Sequence, residues 1–204
     1  MKKIASLVVA SVAFAAVAVG SAQATPITFN FAVTNPDSVS LTFSDISGLS
    51  VKASTPTVGG TVNSANQSSL PGRAFNTGGL GVKSVPGDSR FVDGVDFNDI
   101  LNLTFSKKVK ISSVLFSEVE TGDDFGFSID GGAGSHLAIP LLTHLYTFAG
   151  QIGKTFGFRA DDFNDDFRVK SITVSAVPLP PALLLFASGL LGIGLLGRRR
   201  NKSI

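Results

Sequence analysis

The chain has 204 residues, 17 Lys/Arg against 15 Asp/Glu, and neither cysteine nor tryptophan. Six of the cations (Lys2, Lys3, Arg198, Arg199, Arg200 and Lys202) lie in the two tails, so the stretch between them holds 11 cations against 15 anions, a net of −4. This balance argues against nucleic-acid binding, which needs a basic patch, and the lack of cysteine excludes disulfides, zinc–thiolate centres and cysteine nucleophiles.

In chain order, Met1-Lys2-Lys3 gives a cationic start, Ile4–Gly20 an apolar run, and Ala22-Gln23-Ala24 a small-x-small site. The three together predict a secretory signal peptide over residues 1–24, cleaved after Ala24. The roughly 150 residues that follow, 25–176, are enough for one domain to bury its own core. Alternation of apolar and polar residues recurs through them. It predicts strands at Ile27–Val33, Val39–Phe43, Leu49–Val51, Leu101–Ser106, Ile111–Val119, Phe125–Ile129, Thr155–Phe158 and Phe167–Val174. Ser54–Ser89, rich in Gly, Ser, Thr, Asn and Pro, reads as long loops with short strands at Ala74-Phe75 and Leu80–Lys83. Ser135–Phe148 is the one stretch with an ambiguous helical pattern. Half-buried strands bounded by turn residues predict an all-β fold, an antiparallel β-sandwich of jelly-roll type.

The aspartates are clustered: Asp93, Asp96 and Asp99; Asp123, Asp124 and Asp130; Asp161, Asp162, Asp165 and Asp166. Oxygen-rich loops can hold Ca²⁺, and Asp162-x-Asn164-x-Asp166 matches the opening of an EF-hand loop. Phe167 and Thr173, however, stand where that loop needs Gly and Glu. Asp161, Asp162, Asn164, Asp165 and Asp166 are therefore candidate calcium ligands, and the competing reading makes them turn residues that cap strands. Otherwise no cofactor is expected. Seventeen Phe against one Tyr argue for core packing over sugar stacking, and Phe125, Phe127, Phe156 and Phe158 are expected in the core. Gly87-Asp88-Ser89 has the opening of a GDSL hydrolase block, but Arg90 replaces its Leu and no Asp-x-x-His follows. Neither histidine has an evident third metal ligand, and no enzymatic activity is expected.

Residues 177–204 carry the strongest signal. Val177-Pro178-Leu179-Pro180-Pro181 precedes an uncharged apolar run, 182–197, and Arg198-Arg199-Arg200-Asn201-Lys202 stops it. As a helix beginning at Pro181, the run would rise about 25 Å, close to the hydrocarbon thickness of a bilayer. The cations should stay cytoplasmic and orient the helix. Motif, helix and basic tail (198–204) together resemble the PEP-CTERM sorting signal of Gram-negative bacteria, with Leu179 in place of the usual glutamate. The resemblance covers only these 28 residues. It implies that the partner is an exosortase acting at Val177 to Pro181, and that the exported protein is anchored in the membrane before it reaches the cell surface. It also implies an association with exopolysaccharide or biofilm matrix. The expected role is thus structural or adhesive. A calcium- or ligand-binding module is the alternative, and an unrecognised hydrolase a weaker one.

Overall fold

A computed structural model describes residues 24–31, 35–45, 47–56, 61–66, 78–95 and 99–177. The expected signal peptide up to Gln23, the expected strand Ala74-Phe75, Asp96 and everything from Pro178 onward lie outside the described residues. Within them the chain is all-β and antiparallel. The strands are β1 (Pro26–Asn30), β2 (Asn35–Ser38), β3 (Ser40–Ser44), β4 (Ser50–Ser54), β5 (Thr61–Asn66), β6 (Gly78–Lys83) and β7 (Val92–Asp93). They continue as β8 (Ile100–Ser117), β9 (Asp124–Ile129), β10 (Ser135–Ala138), β11 (Leu145–Thr147), β12 (Ile152–Arg159) and β13 (Asp166–Ala176). The main ladder runs β10-β9-β12-β8-β13-β6-β5-β2, with β1 and β7 on β13, β11 and β4 on β8, and β3 on β4. Among the described residues no helix is long and apolar enough to cross a membrane.

Strand β8 organises the rest. The two strands expected at Leu101–Ser106 and Ile111–Val119 are one 18-residue strand. Its buried alternation breaks at Ser106-Lys107-Lys108, where three successive residues are exposed. Before the break, β8 pairs with β4 and β12, as in Phe105↔Val51 and Leu101↔Phe158. After it, β8 pairs with β13 and β11, as in Val114↔Ile172 and Leu115↔Leu145, while the start of β12 reaches past the break to Val109 and Lys110. The Phe116 ring near its end lies 6.3 Å from that of Phe158, which pairs with Leu101 near its start. The strand therefore doubles back on itself. Lys107 and Lys108 mark one pole, and Ile100 and Ser117 approach the other.

The alternating apolar residues meet inside this fold. Phe105, Phe116, Phe125, Phe156, Phe158 and Phe167 are all at most 1% exposed. Their rings pack mostly edge-to-face, as in Phe116–Phe167 at 5.3 Å and Phe105–Phe156 at 5.9 Å, the geometry the ring quadrupole favours. Phe127, 5% exposed, joins them, so the four phenylalanines assigned to the core are there.

Two expectations are corrected. The ambiguous stretch Ser135–Phe148 forms two short strands, β10 and β11, joined through Pro140 and a turn in which His144 takes φ 53°. Proline forbids a continuous helix through this segment. In the stretch read as loops with short strands, Ser54–Ser89, the strand expected at Leu80–Lys83 is part of β6, but a six-residue strand, β5, was not expected; it pairs along its length with β6 from Thr61↔Lys83 to Asn66↔Gly78. Its Val62 is buried although its neighbours are small and polar.

Candidate functional site

The pole opposite Lys107-Lys108 gathers the acidic residues, because four strand ends meet there. Strand β8 ends at Ser117 and runs into Glu118 and Glu120, and β9 begins at Asp124. Strand β12 ends at Arg159 before the loop 160–165, and β13 begins at Asp166. Strand β7 closes the group, since Asp93 pairs with Asp166 and Phe167 with Val92.

Several carboxylates here hold backbone in place. Asp165 is 1% exposed. Its Oδ2 accepts the amides of Asp161 (3.0 Å) and Asp162 (2.6 Å), and its Oδ1 accepts that of Asp124 (3.0 Å). One side chain thus ties the β12–β13 loop to the start of β9. Asp123 accepts the Glu120 amide at 2.6 Å and Asp93 the Val95 amide at 3.2 Å. Asp88 accepts the amides of Ser84 and Ser89 at 2.6 and 2.8 Å. Short polar side chains that bond local backbone stabilise such turns.

The five candidate calcium ligands are therefore divided among tasks. Asp165 is committed to three amides. Asp161 pairs with Arg159 Nη2 (2.8 Å) and with His136 Nδ1 (2.6 Å), whose Nε2 lies 3.0 Å from Asp124. Asp162 and Asn164 are exposed on the loop, and Asp166 faces Asp93 across the β7–β13 pair. Among the described residues no three His, Cys, Asp or Glu side chains converge closely enough to hold a metal ion as they stand. His136, held by Asp161 first and then by Asp124, has its pKa raised. The imidazolium can donate from both nitrogens, which links β10 to the β12–β13 loop.

Ser89 and the two histidines have separate partners. The Ser89 hydroxyl donates to Asp93 and accepts the Phe91 amide at 3.0 Å. His144 serves through its backbone, whose carbonyl accepts the Phe116 amide at 2.8 Å.

A second set of carboxyls was not legible as a unit in the sequence. Asp99 is 1% exposed, with Oδ1 on the Ser84 hydroxyl and no donor to Oδ2. Burial pushes its pKa up to about 7 against the Ser84 hydrogen bond, and the charges of Asp93 and Asp88 push the same way. Asp166 is pushed up to about 6 by burial and then by Asp123, Glu120, Asp93 and Glu118. Burial also raises Asp123. Near them lies Arg168, wholly buried on β13, over the Phe91 ring at 4.8 Å and bonded only weakly to the Gly79 carbonyl at 3.4 Å. Its Nε and Nη2 have no acceptor, and burial lowers its pKa to about 10. Spacing alone gives no hint of this arginine, which sits between Phe167 and Val169 in a strand buried on both faces.

Val177 follows β13 directly, and Ala24 precedes β1; the remaining residues of the expected sorting motif, Arg198–Arg200 and Ala22 lie outside the described residues. The chain matches no family model, no curated protein and no solved structure.

Proposed function

We propose that this is an exported protein whose β-rich ectodomain has a structural or adhesive role at the cell surface, in contact with exopolysaccharide matrix. It is delivered there by a C-terminal tail that an exosortase recognises. The observation that carries this reading is the order of three features in residues 177–204: the Pro-rich motif, the membrane-length apolar run and the arginine cluster. The signal-peptide pattern at the other end agrees with it. Strand β13 supports it too, since only Val177 separates its last residue from Pro178, leaving almost no spacer between domain and tail. In this reading the covalent chemistry belongs to the exosortase, and the carboxylates at the acidic pole shape loops. The doubling back of β8, with Phe116 reaching Phe158, supports a two-sheet, jelly-roll-like sandwich.

Mass spectrometry of the mature protein from its native host is the test. The expected N-terminus is Thr25, and the expected C-terminus lies within or just after Val177–Pro181. A mature protein that keeps Met1 or Ile204 contradicts the reading at that end.

Calcium binding is the second reading, favoured by Asp166, which feels the negative charges of Asp123 and Asp93 at the acidic pole. A cation drawing them together would stabilise the folded state by preferential binding, by about 2.7 kcal/mol at a hundredfold excess over Kd. Calcium should then raise the melting temperature above its value in chelator, and Asp166→Asn should remove the difference. Equal transitions with calcium and with chelator eliminate this role.

A further inference from the structure

The pole opposite the acids carries a charge pattern of its own. Where β8 doubles back, Lys107, Lys108 and Lys110 are exposed. Lys154 joins them from β12: Ile152 pairs with Lys110 and Gly153 with Val109, and the bulge before Thr155 leaves Lys154 exposed beside them. Four of the seven lysines between residues 25 and 177 are thus held at one end of the fold. Asp45 and Asp130 share this end: Asp45 lies in the β3–β4 turn beside Ser50, whose amide bonds Ser106 Oγ, and Asp130 feels the charges of both Lys108 and Lys154. Asp130 Oδ1 is already engaged by the amides of Lys154 and Thr155, both at 2.8 Å.

The chain also leaves the domain at this pole. Ser175 pairs with Lys110 and Ala176 with Val109, so Val177 emerges among the lysines. From there the motif 177–181 spans at most about 17 Å before the apolar run begins. That distance is comparable to the Debye length, about 10 Å at 0.1 M salt, plus the headgroup layer. The acid-rich pole lies at the far end, where an anionic surface would repel it least.

We infer that the lysine pole, Lys107, Lys108, Lys110 and Lys154, is a docking surface for anionic phospholipid headgroups of the membrane that holds the tail. This rests on the reading of 182–197 as a membrane helix. The ectodomain as a whole is anionic, so the attraction depends on this polarity and not on net charge.

The test uses the full chain inserted into vesicles of phosphatidylcholine alone or mixed with phosphatidylglycerol, with the acylation rate of each lysine read by mass spectrometry. Lys107, Lys108, Lys110 and Lys154 should react at least about threefold more slowly in the anionic vesicles, and the protection should fade in high salt. Lys83 and Lys170 should be unaffected. In a K107Q/K108Q/K154Q chain, Lys110 should react in anionic vesicles as it does in neutral ones. Equal rates in both vesicles, for a chain that resists alkaline carbonate extraction, overturn the docking alone. A chain stripped off by carbonate brings down the tail reading and the docking with it. Protection by a soluble polyuronate in neutral vesicles, with none from phosphatidylglycerol, overturns the lipid assignment.

Discussion

Asp99 is buried with one oxygen on Ser84, the other without a donor, and Asp93 and Asp88 nearby. Its pKa stands at about 7 and that of Asp166 at about 6, both above the ordinary 3.8, and Asp123 moves the same way. A carboxyl that holds its proton more tightly when folded contributes stability that is complete below the unfolded pKa. That contribution is lost as pH rises through the folded pKa. The window therefore runs from about pH 4 to about pH 7, opposite in sign to that of an ordinary ion-paired aspartate. His136 acts in the same direction, since its raised pKa stabilises the fold until pH passes above it. Asp130, whose pKa is lowered by the amides of Thr155 and Lys154, loses its contribution only in acid. We expect the melting temperature to fall between about pH 5 and pH 8, and Asp99→Asn to remove a large part of the slope. At 1.36 kcal/mol per pH unit the contribution of buried Asp99 is on the order of a few kcal/mol. A midpoint that is level or rises over this range contradicts the assignment.

At the scale of the element, glycine decides where backbones can touch. Strand β6 reads Gly78-Gly79-Leu80-Gly81, and a Cβ on Gly81 would fall inside the van der Waals shell of the Arg90 carbonyl and 3.1 Å from Phe91 Cα. That approach lets the Val82 amide bond the Phe91 carbonyl at 3.0 Å, which ties the segment before β7 onto β6. Backbone cannot move aside as a side-chain tip can, so Gly81→Ala should cost about 2 kcal/mol or more, read as a lower midpoint in urea at unchanged m-value. An unchanged midpoint would mean that this contact is loose. The strands most legible in the sequence were those whose alternation is carried by large apolar residues, such as Leu101, Leu103 and Phe105. Strand β5, Thr-Val-Asn-Ser-Ala-Asn, was hidden because its partner β6 supplies backbone and little side-chain bulk, so composition mimicked a loop. The fusion of two expected strands into β8 was equally hidden. The exposed run Ser106-Lys107-Lys108 looks like a turn, yet the backbone stays extended and bends.

For the whole molecule, the all-β class was legible in the sequence, because the apolar–polar periodicity of a strand is local. The grouping of acids could be seen as composition. Which of them hold backbone amides, as Asp165 does, and which hold their protons more tightly, as Asp99 and Asp166 do, could not, because it depends on how four strand ends from distant parts of the chain converge. The gathering of lysines at the other pole has the same origin, since Lys154 reaches Lys110 only through the β12–β8 register. Strand β13 has a mechanical consequence. Over residues 171–175 it lies between β8 and β1, antiparallel to both. A pull from Val177, as fluid drag on a tethered domain would exert, is directed along that strand. Its ladder hydrogen bonds stand perpendicular to the strand and are strained together, not peeled apart one after another. Rupture then requires the strand to slide between both neighbours at once, so a domain held by this end, as the proposed tail would hold it, must lose both ladders together.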